Sequence, residues 1–114
     1  MKINEAIALA DNLRLNTISD EQKYTWVYEF ECSVAEMMGV AAPEKNFPED
    51  IKLMMPSAHE DVYVKYLVAK IDYYTMDGEI YANDMSVFEK AWAEARAWYI
   101  RNHGAKNKGN WRAF

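Results

Sequence analysis

Cysteine is almost missing from this 114-residue chain. A lone Cys32 leaves no partner for an internal disulfide, which fits a reducing compartment. Histidine occurs only at His59 and His103, far apart in sequence and from Cys32, so no zinc-ligand spacing forms. Cys32 also has no nearby histidine to activate it, so it is expected to be a packing or surface residue. The four glycines are scattered and build no phosphate-binding loop. No apolar run approaches the roughly 20 residues of a membrane span. The start of the chain lacks a basic-then-apolar leader pattern, so a cytoplasmic protein that avoids membranes is expected. Acid is missing from one region only. Residues 96–114 carry Arg96, Arg101, Lys106, Lys108 and Arg112 and no Asp or Glu, whereas residues 1–95 hold 8 basic and 18 acidic side chains. An acidic body with a basic end is the chain's clearest electrostatic feature.

What is present is apolar and aromatic, at 51% and 14%, too much for a disordered chain and enough for one modest core. Its period is helical. Val64, Leu67, Val68, Ile71 and Tyr74 recur at three- and four-residue steps, as do Tyr81, Met85, Phe88, Trp92, Ala95 and Tyr99. A short first helix is expected, capped by Asn4, with Ile7, Leu9, Ala10 and Leu13. Ser19 and Gln22 form a capping box that opens a second helix to Met38, with Gly39 as its stop. Its stripe is Val27, Phe30, Val34 and Met37, widened by Trp26 and Met38. Ser57-Ala58-His59-Glu60 repeats the capping pattern and opens a third helix over 58–76. Gly78 is expected to stop it. A fourth helix over 80–102 follows, ended by Gly104.

Residues 40–57 collect Pro43, Pro48 and Pro56 with the acids Glu44, Glu49 and Asp50. So long a connection is usually functional, and a contact or gating element outside the core is expected, with Ile51–Met55 extended and Leu53 or Met54 packed on the helices. Deletions within 44–50 should then spare the fold and impair assembly. The fold class is all-α: a bundle of about four helices over 1–104, with this loop between the second and third and an extended basic tail over 105–114.

No catalytic set is visible. The stretch YYTMDGEIY fails as a calcium loop, because with Gly78 at the sixth position the first ligand is Tyr73 and the twelfth is Asp84 rather than Glu. Glu29 and Glu31 are two apart and do not face each other on a helix. Glu60 and Asp61 suit a first helical turn. Both pairs are expected to be solvated. No enzyme activity, metal or cofactor is expected. Two features point to a protein partner instead. Ala91, Trp98 and Ile100 lie off the fourth helix's stripe, making it apolar on more than one side. The tail sets Trp111 and Phe114 among Lys106, Lys108 and Arg112, a mixture suited to an interface anchor or to single-stranded nucleic acid.

The run PSAHEDVYVKYLVAKIDYYTMDGEIYANDMSVFEKAWAEARAWYIRNHG, with the opening NEAIALADNLRLNTISDEQKYTWVYEFE, resembles small all-α head–tail connector (adaptor, head-completion) proteins of tailed phages and prophages. The shared features are the proline before the third helix, YVKYLVAKIDYY, GEIYAND and the terminal AWYIRNHG. Val27, where relatives usually have Leu, is a departure. The resemblance implies a structural subunit in the virion neck, assembled in the host cytoplasm as a ring, often twelvefold, beneath the portal protein. Such a ring completes the DNA-filled head, receives a tail-side neck or stopper protein, and sends its C-terminal segment to the portal. An acidic body suits a channel that DNA crosses without sticking. A small helical nucleic-acid-binding or regulatory phage protein is the alternative, with an acidic DNA mimic behind it.

Overall fold

The computed structural model describes residues 1–44, 52–75 and 78–103. It is all-helical, with α1 (Ile3–Leu13), α2 (Asp20–Met38), α3 (Asp61–Tyr74) and α4 (Gly78–His103). Helix α3 is the centre and packs against all three others. Its sequence suits that place: Val62, Tyr63, Val64, Leu67, Val68, Ala69 and Ile71 are all buried, more than one stripe's worth. From α1 the core takes Ile3, Ala6, Ile7 and Ala10, and from α2 Trp26, Val27, Phe30 and Val34. Phe30 is the hub. Its ring lies 4.8 Å from Tyr66, 4.9 Å from Trp92, 5.4 Å from Phe88 and 5.5 Å from Tyr63.

The helix ends divide into those local sequence fixes and those the tertiary structure overrides. Ser19 Oγ accepts from the Gln22 N–H, and Gly39 takes the left-handed conformation (φ 71°) that ends α2. In that geometry the Val40 N–H reaches the Ala35 carbonyl. The other signals are displaced. Helix α1 begins at Ile3 rather than after Asn4, because Glu5 reaches back to the Lys2 N–H. Residues 57–60 form a turn and α3 starts only at Asp61. The expected Ser57–Glu60 capping box does not form: Glu60 is held at 2.7 Å by the Met1 ammonium. Gly78 is the first residue of α4, not the stop of α3, which ends at Tyr74 with Thr75 as its cap. Gly104 lies outside the described residues.

The second to third helix connection needs the largest correction. Residues 45–51 lie outside the described residues, and so does most of the expected 44–50 contact element. Residues 52–56, however, are not outside the core: Leu53 packs on the helices as expected, and Met55 joins it. Leu53 is 3% and Met55 2% exposed, while Met54 is half-buried. Lys2 and Lys52 form an antiparallel bridge, and three successive N–H groups each find a separate partner. Leu53 donates to the Met1 carbonyl at 2.9 Å, Met54 to Glu31 at 2.8 Å and Met55 to the Tyr63 hydroxyl at 3.0 Å. An irregular segment enters a core only when its backbone is satisfied in this way.

Helix α4 lies mainly on α3. Only Phe88 and Ala95 of its stripe are buried; Tyr81, Met85, Trp92 and Tyr99 are half-buried. Trp92, central in that stripe and so expected from its spacing to be buried, is only half-buried. One side of its ring meets Phe30, and the Arg96 guanidinium sits 5.4 Å over it. Trp92→Ala should cost about 2 kcal/mol, below the ~3–5 kcal/mol of a fully buried aromatic. Denaturant unfolding checks this.

Candidate functional site

The tail residues Lys106, Lys108, Trp111, Arg112 and Phe114 lie outside the described residues. The structure does define the base from which they continue. Trp98 packs 5.2 Å from His59, in the turn before α3. Tyr99 stacks on His103 at 4.1 Å and its hydroxyl donates to the Met38 carbonyl at the end of α2, at 3.4 Å. The last turns of α4 are thus tied to two other elements. Around this base Ile100 is 60% and Val40 51% exposed, with Arg96 and Arg101 also outward.

A second apolar surface lies between α1, α3 and α4. Leu9, Leu13 and Val87 are exposed there, above a floor that includes Val64 and Val68. Two adjoining depressions of about 530 and 230 Å³ share Leu13, Val64 and Lys65. Their rims mix charges: Glu60, Asp61 and Asp84 with Arg14 and Lys65. Tyr73 and Tyr74 at the end of α3 and Ile80 at the start of α4 are exposed as well.

Three polar clusters escaped the sequence pattern. Glu31, expected on a solvated face, is 3% exposed. It accepts from the Tyr63 hydroxyl at 2.5 Å and from the Met54 N–H at 2.8 Å. Burial pushes its carboxyl pKa up against the pull of these two bonds. Burial also raises the Tyr63 hydroxyl far above its ordinary value, with the Glu31 charge adding to the effect. Glu29 and Asp61 do face solvent, and Asp61 pairs with Lys65 at 2.8 Å. Lys23 is buried and pairs with Asp11 at 2.7 Å, joining α1 to α2. Arg14, at the C-cap of α1, bridges Asp72 of α3 at 3.1 Å and Asp84 of α4 at 2.6 Å.

These clusters hold helices together. Among the described residues, no group of three His, Cys, Asp or Glu side chains could hold a metal. Cys32 is half-buried beside Tyr28, one turn away on α2. No helix among the described residues is long and apolar enough to cross a membrane. Comparison with protein-family models, with curated proteins and with solved structures finds no match.

Proposed function

We propose that this chain is a structural subunit of a phage neck: a head–tail connector that forms a ring under the portal and offers a seat to a tail-side stopper. The observation that carries the reading is the step from an acidic body to a basic end, placed on an anchored helix terminus. Arg96 and Arg101 project beside exposed Ile100, and the sequence continues into Lys106, Lys108, Trp111, Arg112 and Phe114. Aromatic anchors flanked by cations suit a protein interface, where few residues carry most of the binding energy. The apolar surfaces left open on α1 and α4 suit contacts between neighbouring copies, through which a small domain completes its burial. Outward acids such as Glu21, Glu29, Glu36, Glu89 and Glu94 suit a wall that DNA passes without phosphate contacts. No enzymatic activity and no cofactor belong to this proposal.

Native mass measurement and particle imaging of the protein, alone and with portal, test it. A closed ring that binds portal is expected. Removing residues 105–114 should leave the helical spectrum and melting temperature unchanged but abolish portal binding. Trp111→Ala should lose at least about 2 kcal/mol of affinity, more than Lys106→Ala, whose effect falls mainly on association rate and salt response. Normal portal binding by the truncated protein would remove the tail from the mechanism. Tight binding of single-stranded DNA by the tail, with a steep salt dependence, would favour the nucleic-acid alternative.

A further inference from the structure

We propose that Arg14, Asp72 and Asp84 form a proton-sensitive latch that fastens α4 to α1 and α3 when it holds one added proton and loosens when that proton is lost. The cluster sits where three helices meet, and its charges do not balance. A single guanidinium is shared by two carboxylates, through Nε to Asp72 at 3.1 Å and Nη2 to Asp84 at 2.6 Å. The Arg14 Nη1 is spent on the Leu13 carbonyl. The Asp72 side chain is 4% exposed and its Oδ2 has no hydrogen-bond partner. A buried carboxylate oxygen without a donor is costly. Asp72 and Asp84 converge on this one guanidinium, so a proton shared between them satisfies the orphaned oxygen and leaves one negative charge facing one positive charge.

Burial and the Asp84 carboxyl together push Asp72 up to about 6, against the pull of Arg14. The charged groups that act most strongly on Asp72 are Arg14 from the end of α1 and Asp84 from α4. On α3 itself, Lys65 lines the same depression as Arg14 and Asp84 but pairs with Asp61. Thr75 donates to the Asp72 backbone carbonyl, not to its carboxylate. The sign follows from the raised value. The folded state holds the proton more tightly than the unfolded chain, so the proton's contribution is full below about pH 4 and is lost as pH rises through about 6. The depression of about 230 Å³ formed by Leu13, Arg14, Val64, Lys65, Val68, Asp84 and Val87 lies on the latch, so its release widens the apolar surface between α1 and α4.

Unfolding equilibria from pH 4.5 to 7.5, with amide exchange at pH 7, test the latch on the intact chain. From pH 7 to pH 5 this cluster should raise the folded-to-unfolded ratio about tenfold. Glu31 has the same sign, so the comparison is between variants. Asp84→Asn imitates the protonated pair, since its amide can donate to Asp72 Oδ2 while its oxygen still accepts from Arg14. It should be more stable than wild type at pH 7, lose that tenfold component, and protect α4 amides more strongly. Arg14→Gln should destabilise more at pH 7 than at pH 5. An Asp84→Asn variant with the wild-type pH slope, or an Arg14→Gln loss equal at both pH values, overturns the proposal.

Discussion

Phe30→Ala should lower stability by about 3–5 kcal/mol, the range for a fully buried aromatic, and lower the melting temperature by roughly 10 °C or more. The ring is 4% exposed and joins α2 to both α3 and α4 through Tyr63, Tyr66, Phe88 and Trp92. Three of the four contacts are edge-on and one is stacked, the arrangements aromatic quadrupoles favour. The cavity left by alanine is lined by large rings held from two other helices, so local collapse recovers little of the lost contact. Tyr66 reports the change. Its hydroxyl is raised to about 12 by burial, with Glu29 adding to the shift. Opening the Phe30 site should bring it back toward 10 in a spectroscopic titration. A loss below about 1 kcal/mol in denaturant unfolding would mean that the hub is not where α2 meets α4.

Phe30→Ala should also cost more than Trp92→Ala, although tryptophan is larger. The difference is instructive about what sequence carries. The stripes on α2 and α3 were legible except at their C-terminal ends: Val27, Phe30, Val34, Val64, Leu67, Val68 and Ile71 are buried as their spacing predicts, whereas Met37 is half-buried and Tyr74 is 60% exposed. On α4 the same spacing overstates burial. A period gives the direction of a face, but the number of helices waiting to cover it is a tertiary fact. Helix α4 meets mainly α3, so Trp92 stays half-buried. Caps divide in the same way. Ser19 and Gly39 act within their own turn and were readable, whereas Glu60 was taken by an ammonium 59 residues away.

Polar burial was the least legible part. Arg14 meets Asp72 and Asp84 across 58 and 70 residues, and Glu31 meets Tyr63 across 32. Local pattern predicts solvent for each of these charges, because charge is normally exposed. Of the candidate site, the residue types of the tail stood in the sequence, while the tie of the α4 terminus to His59 and Met38 through Trp98 and Tyr99 needed the fold. One faint signal pointed to the Glu31 cluster. The apolar Leu53-Met54-Met55, next to a proline and ahead of a helix, needs partners for its N–H groups if it packs at all.

Those partners set the second large expectation: Glu31→Ala should destabilise by about 3 kcal/mol or more. The substitution removes the acceptor of two buried donors, the Met54 N–H and the Tyr63 hydroxyl, and each orphaned donor costs about 1–3 kcal/mol. Glu31→Gln should cost less, because its amide oxygen still serves Tyr63 while its NH₂ opposes the Met54 N–H. Tyr63→Phe should cost about 1–3 kcal/mol, since it strands the Met55 N–H and one Glu31 oxygen together. The two sites share a bond, so the double variant should lose clearly less than the sum of the single losses. Amide exchange separates the effects further: Met54 and Met55 should lose protection in every variant, and the Val34 amide in mid-α2 much less. Strict additivity in the double variant, measured by denaturant unfolding, would show that Glu31 and Tyr63 act apart and that the 53–55 segment is held by burial of Leu53 and Met55 alone.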